Sequence, residues 1–354
     1  STEYYKLKSW VDGLMKIPFG KYKELPITIN NSSNEITDYM VRCSSILKNA
    51  VHGHQKAKAQ IIQTIGKWIS NPQSKGSVFS IVGPMGNGKT TLVKEGISKM
   101  INRPFEFISL GGATDSALLD GHSYTYEGAI PGKIVEILQK ADCMNPVIYF
   151  DELDKISDTP KGEEIINLLI HLTDFSQNDH FIDKYYCDVP LDLSKALFIF
   201  SLNNLEKVNP ILRDRMYMIQ TNKLLEDDKL IICNNYLLPS LFKEVGISKE
   251  DIIFPPDIVK YLIDNYSLED GVRNFKRCLE TILNKINILR LIKLDLLEEE
   301  ELEQKIKELN FSKNMEEIVR NKKIIFTLTI NKDLIDLLID NNIKMDEAPF
   351  MMYI

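Results

Sequence analysis

The sequence predicts an α/β fold, with a five-stranded and mainly parallel sheet covered by helices and followed by a mostly helical lid. Three observations carry this. Between residues 77 and 221, short apolar runs (SVFSIV, FEFIS, PVIYFD, ALFIFSL and MYMIQT) alternate with longer amphipathic segments, the pattern of buried strands interleaved with covering helices. From residue 225 to about 293 the apolar spacing turns helical with few turn signals. A length of 354 residues also accommodates two domains, each burying its own core, at roughly 100 to 200 residues per domain.

In chain order, YYKLKSWVDGLMKIP is apolar-periodic and then breaks at Pro18, Gly20 and Pro26, so residues 1–36 read as a short helix and loop, a neck or connector from an amino-terminal region. Helices are expected near 38–51 and 55–69, the second with Ile61, Ile62, Ile65 and Trp68 spaced for core packing. With the strand-rich stretch these make residues 37–223 one α/β subdomain, and residues 224–354 the lid subdomain, with a hinge near Thr221–Glu226. In the lid, DLLEEEELEQKIKEL reads as a solvated acidic helix face, and KKIIFTLTINKDLIDLLIDN as one strand and one helix. No internal repeat or low-complexity tract interrupts the chain.

Composition narrows the function classes. With 43 Lys+Arg against 50 Asp+Glu and a net charge of −7, the chain lacks the basic excess of a dedicated nucleic-acid binder, which leaves only weak nucleic-acid binding through a local patch. Cys43, Cys143, Cys187, Cys233 and Cys278 are scattered, with no C-x-x-C pair and no zinc-spaced histidines, as reduced thiols in a cytoplasmic setting would be. An organelle matrix or a viral origin is also compatible with that usage. No apolar run approaches the roughly 20 residues that cross a bilayer, and no signal-peptide pattern is present, so no membrane partner is expected.

The chemistry is concentrated in two motifs. GPMGNGKTT, comprising Gly83, Pro84, Met85, Gly86, Asn87, Gly88, Lys89, Thr90 and Thr91, fits G-x-x-x-x-G-K-[ST] directly after an apolar strand and before a helical pattern. Its glycines let backbone N–H groups converge on phosphate oxygens at a helix amino terminus. Lys89 would reach the β- and γ-phosphates of ATP, and Thr90 would offer a hydroxyl to Mg²⁺, a hard cation that takes oxygen ligands. The second motif, PVIYFDE, ends a buried strand in Asp151 and Glu152, two carboxylates that are costly there without a task. Asp151 would hold Mg²⁺ through water, and Glu152 would activate the attacking water for displacement at the γ-phosphate. Together they indicate hydrolysis of ATP, not binding alone.

Beyond these motifs, ISLGGATDSALLDGHSYTYEGAIPGKIVEIL, NPVIYFDELDKI, DVPLDLSKALFIFSLNN, LRDRM and GVRNFKR run in the order typical of the ATPase modules of Lon-type ATP-dependent proteases, and the lead-in WVDGLMKIPFGKY is similar too. The chain thus resembles the AAA+ module of the Lon family over roughly residues 8 to 290. The resemblance implies a P-loop NTPase of the AAA+ type that assembles as a homo-oligomer, a hexameric ring, and threads unfolded or tagged polypeptides through its pore.

Several residue roles follow from the resemblance. Asn203 matches the sensor-1 residue that helps place the attacking water, Arg215 in LRDRM the arginine finger supplied to a neighbouring subunit, and Arg273 in GVR the sensor-2 arginine of the lid. Arg213 competes for the finger, and a lone arginine is more often half of a surface ion pair. In AVHGHQKAK, Gly53 matches the glycine of the loop covering the adenine, and His52 stands where a tyrosine is usual; solvent-facing loop histidines are the alternative. Tyr126 falls where the family carries its aromatic pore residue, whereas Glu127 replaces the usual aliphatic neighbour. No Lon-like P-K-D-G-P-S-A-G segment is found, so the chain is expected to cleave no peptides by itself. A stand-alone AAA+ remodelling or nucleic-acid-associated ATPase is the alternative reading.

Overall fold

A computed structural model describes residues 2–113, 115–292, 299–321 and 327–339; the KKIIF start of the terminal strand reading, the start of the acidic run before Glu299 and the lid boundary at 354 lie outside them. The chain separates into two compact units, Ser1–Pro84 with Gly88–Asn222, and Met85–Asn87 with Lys223–Ile354. Residues 1–36 therefore cluster with the α/β unit.

The first unit runs α1 Thr2–Leu14, α2 Ser33–Ala50, α3 Gln55–Ser70, β1 Val78–Val82, then α4 Lys89–Thr91, which continues through a wider π-turn stretch, Leu92–Ile97, into α5 Ser98–Ile101. There follow β2 Phe105–Ser109, α6 Ala117–Asp120, α7 Lys133–Ala141, β3 Val147–Asp151, α8 Pro160–Thr173, β4 Phe181–Ile182, β5 Pro190–Leu191, β6 Leu197–Leu202, α9 Pro210–Asp214 and β7 Tyr217–Gln220. Several helix starts are legible locally. Ser32 and Glu35 form a capping box on α2, Thr159 caps α8 ahead of Pro160, and Asn209 caps α9 ahead of Pro210, each supplying an acceptor to otherwise unpaired N–H groups.

All five apolar runs become strands of one sheet ordered β2-β3-β6-β1-β7, and every pairing in it is parallel. Alternation along the strands divides the interior into two cores. Val147, Tyr149, Leu197 and Ile199 join Phe79 and Ile81 beneath α2 and α3, where Ile61, Ile65 and Trp68 pack, while Ile148, Phe150, Phe198 and Phe200 join the residues of α7 and α8 on the opposite face. Phe150 and Phe200 stack with centroids 4.8 Å apart. Register aligns Val82 with Leu202 and Ser109 with Asp151, so the strands end together and deliver Gly83, Asn203, Leu110 and Glu152 to one edge.

The second unit contains α10 Glu226–Ile232, a π-turn stretch Cys233–Leu237, α11 Leu238–Val245, β8 Ile252–Ile253, α12 Pro256–Tyr266, α13 Arg273–Ile292, α14 Glu299–Glu308, α15 Lys313–Arg320, β9 Leu328–Thr329 and α16 Lys332–Leu338. Its helices share one core that includes Phe275, Leu279, Ile282, Ile318 and Ile335. The stretch to 293 is not wholly helical: Ile252 and Ile253 pair in parallel with Leu328 and Thr329. Pro255 and Pro256 keep the residues before them out of a helix, and the distant strand supplies the missing partners. In the acidic run, Glu303 pairs with Arg320 at 2.7 Å, an exposed contact of little energetic weight. Among the described residues no helix is long and apolar enough to cross a membrane.

Candidate nucleotide site and its neighbours

The Gly83–Thr91 segment leaves β1 and turns into a helix at Lys89. Gly83 does not aim its N–H into the loop; it donates to Leu202 O at 3.2 Å and so extends the β1–β6 ladder by one rung. Gly86 and Gly88 adopt positive φ of 73° and 94°. At Gly88 a side chain would also meet Val51 Cγ1 at 3.2 Å, which places the segment preceding His52 and Gly53 against the phosphate loop. His54 begins α3 in a left-handed conformation, φ 55°, directly after Gly53 at φ 71°.

Lys89 Nζ donates to the carbonyls of Gly83 (2.6 Å) and Pro84 (2.8 Å) and to Asn203 Oδ1 (2.9 Å), so the loop's lysine and the expected sensor-1 residue are brought together. Burial pushes the Lys89 ammonium down to about 8, against the support of the Asp151 and Asp154 charges. Such a cation, desolvated and only partly compensated, fits an anionic phosphate.

Behind it lies a chain of hydroxyl groups. Thr90 Oγ1 lies 3.2 Å from Tyr149 Oη, and Ser201 Oγ donates to the Asp151 carboxylate while accepting the Glu152 N–H at 3.3 Å. Burial lifts the Tyr149 hydroxyl to about 12, so it stays protonated. Thr90 and Asp151 thus each take part in this set of hydroxyl contacts, Thr90 with Tyr149 and Asp151 with Ser201, and both are oxygen ligands of the kind Mg²⁺ takes when the remaining ligands are water and phosphate. Among the described residues no three His, Cys, Asp or Glu converge as a protein-only metal site.

Glu152 directly follows β3 with φ 60° and ψ 44°, a left-handed conformation that costs a non-glycine residue about 1 kcal/mol. Strain of this kind re-aims the side chain away from the sheet. Gly111, at the end of β2, makes the room: a Cβ there would lie 2.0 Å from Glu152 Oε2. Asp154 is buried and accepts the Asn204 N–H at 3.0 Å, with its second oxygen unpartnered. Tyr149, Ser201, Asp154 and Gly111 were not singled out from sequence. Their signal was present, in a tyrosine and a serine embedded in apolar strands and a glycine pair after β2.

Arg215 and Arg213 flank the end of α9. Arg215 Nη1 lies 2.7 Å from Asp174 Oδ2, so it is held on its own chain. Within the second unit, which includes the loop tip Met85–Asn87, Val272 N–H donates to Gly86 O at 3.1 Å and a Cβ on Gly86 would approach Arg273 Cβ to 2.9 Å. Tyr126 and Glu127 sit apart from these residues on an exposed loop between α6 and α7.

Comparisons with known proteins agree with this layout. Residues 79–224 match the model of the ATPase family associated with various cellular activities, and residues 243–295 match the Lon protease AAA+ ATPase lid domain. A Lon protease homolog of Acanthamoeba polyphaga mimivirus is 41% identical over 291 residues, 81% of this chain and 28% of that protein. The Lon protease of Fusobacterium nucleatum is 35% identical over 81% of this chain and 35% of its own length, and the human mitochondrial Lon protease homolog 35% over 80% and 28%. The chain thus spans about a third of the length of these relatives. An α/β unit matching one model and a helical unit matching a lid found in Lon proteases place the chain in the Lon family, as its AAA+ ATPase module.

Proposed function

We propose that this chain hydrolyses ATP with Mg²⁺ and uses the cycle to draw unfolded or tagged polypeptide through the pore of a homohexameric ring in a cytoplasmic setting, with peptide cleavage supplied by a protease domain outside these residues. One observation supports hydrolysis above simple nucleotide binding: Glu152 is held in a strained left-handed turn beside Gly111, off the end of the strand whose Asp151 is bonded to Ser201. A carboxylate serving only the fold would not need that conformation. Lys89 would hold the phosphates, Thr90 and Asp151 the metal, Glu152 and Asn203 the attacking water, and Arg273 the nucleotide from the lid. His52 and Gly53 would border the base. Bound Mg²⁺ supplies charge neutralisation for the transferring phosphoryl group.

The test compares two substitutions. Lys89→Ala should lose nucleotide affinity, whereas Glu152→Gln should bind nucleotide normally and lose turnover by about 10²-fold or more, the usual contribution of a positioned base. Normal steady-state turnover by Glu152→Gln would refute the assigned role.

A further inference from the structure

Helix α1 is built onto the loop that carries Tyr126. Trp10 lies with its ring 6.4 Å from Tyr124 and 5.4 Å from Tyr186, and its Nε1 donates to Tyr185 O at 3.0 Å. Tyr124 contacts Tyr185 in turn, with centroids 5.6 Å apart. One turn earlier on the same helix, Lys6 Nζ sits 4.5 Å over the Tyr124 ring and 3.4 Å from the carbonyl of Tyr126 itself. Close fit extends to the end of the helix, where a Cβ on Gly13 would meet Tyr186 Oη at 2.2 Å.

The loop has a closed base and an exposed tip. His122 N–H donates to Ile130 O at 3.2 Å, and a Cβ on Gly121 would lie 2.7 Å from Gly132 N, so the two ends are pinched together. Tyr126, Glu127 and Gly128 at the tip are exposed, Tyr126 by 66%, whereas Gly121 and Gly132 at the base are buried. A single carboxylate joins base and helix seat: buried Asp183 accepts N–H groups from Gly132 (2.7 Å), Tyr185 (2.9 Å) and Tyr186 (3.3 Å).

We propose that α1 positions the Tyr126 loop through Trp10 and the Tyr124–Tyr185–Tyr186 cluster, so that displacement of the amino-terminal segment moves the tip that grips the polypeptide. Contacts this numerous between one helix and the base of one exposed loop leave the two to move as a piece, because packed aromatic clusters shift between discrete arrangements and do not stretch. The inference rests on the pore-loop reading of Tyr126, and Trp10 is a positioning residue in it.

Hydrogen exchange of the full chain provides a readout independent of that reading. Trp10→Ala should raise exchange of amides 122–130 at least tenfold while β1 and β3 keep their protection, and Trp10→Phe, which retains a ring, should recover most of the protection. Unchanged loop exchange in Trp10→Ala overturns the proposal. Should Trp10→Ala unfold the unit, Lys6→Met, which touches the loop alone, decides the same question: a several-fold rise at 124–129 supports the proposal and none overturns it. ATP turnover stimulated by an unfolded polypeptide should fall several-fold in Trp10→Ala with basal turnover within twofold of normal. Full stimulation in Trp10→Ala beside its loss in Tyr126→Ala overturns the coupling; full stimulation in Tyr126→Ala instead overturns the pore reading, and loop exchange then settles the mounting alone.

Discussion

Arg215 is anchored to Asp174, its Nη1 2.7 Å from Oδ2, and the same nitrogen reaches the Ile170 carbonyl at 3.5 Å. Hydrogen bonds from Ser176 and then the arginine hold the Asp174 carboxyl well below the usual carboxylate range, so the pair is formed above that range and is lost only in strong acid. The guanidinium is thereby held at a defined angle on its own chain, so that less ordering is needed to present it to an anion brought against it.

Removing the guanidinium and removing its anchor should therefore differ in degree. Arg215→Ala should lower turnover of the assembled protein by about 10³-fold, the range of an arginine finger, and Asp174→Asn by about tenfold, because the arginine remains but is no longer aimed. Specific activity of the unmodified chain should rise with protein concentration. Full turnover by Arg215→Ala in the assembled state would transfer the role to Arg213.

Gly111 offers a test of Glu152 that leaves the carboxylate in place. A methyl group there would lie 2.0 Å from Glu152 Oε2 and 3.2 Å from its Cβ, so Gly111→Ala must push the side chain aside. Nucleotide affinity should stay within two- to threefold while turnover drops tenfold or more. Unaltered turnover, measured by phosphate release, would mean that Glu152 works from another rotamer.

Asp183 carries a pH dependence of stability. Burial lifts its carboxyl from 3.8 to about 6, against the lowering effect of three backbone N–H bonds. The native chain then binds more protons than the unfolded chain between about pH 4 and 6, so this group's contribution is full below that window, declines through it and stays low above. Two units correspond to about 3 kcal/mol. Denaturant titrations at pH 4.5 and 7.5 should show a difference between the unmodified chain and Asp183→Asn that changes by roughly 2 kcal/mol with this sign. A difference constant with pH would mean that the carboxylate is ionised throughout.

Tyr126 and Glu127 should act on polypeptide and leave nucleotide chemistry alone. Tyr126→Ala should keep basal turnover within a few-fold yet lose its stimulation by unfolded protein. Glu127→Ile should strengthen engagement of apolar segments and weaken that of basic ones, which lose a carboxylate partner. The measurement is stimulation by unstructured polypeptides of differing charge, and equal responses across that panel would remove Glu127 from the grip.

What could be read in advance followed from periodicity and motif. Each of the five apolar runs became a strand of the one sheet, with β1, β3 and β6 at its centre almost wholly buried, and Lys89 was brought within hydrogen-bond distance of Asn203. Register was invisible, and with it the Asp151–Ser201 and Asn204–Asp154 contacts, which exist only because β3 and β6 end side by side. The β8–β9 pairing was equally hidden, since two residues carry no period. Trp10 looked like an ordinary apolar position on a connector; its partners lie more than a hundred residues away in Tyr124 and Tyr185.

Strand β1 has no neighbour close to it in the chain. It lies between β6 and β7, whose first residues are Leu197 and Tyr217, so the strand that launches the phosphate loop is placed by segments made more than a hundred residues later. At about 5 to 20 residues per second on the ribosome, β1 waits on the order of ten seconds for its partners. A nascent chain shorter than that carries an apolar strand with both edges bare and a lysine with no Asn203 to meet. The centre of the sheet is thus closed late in synthesis, and until β6 and β7 are made the apolar β1 has neither of its neighbours.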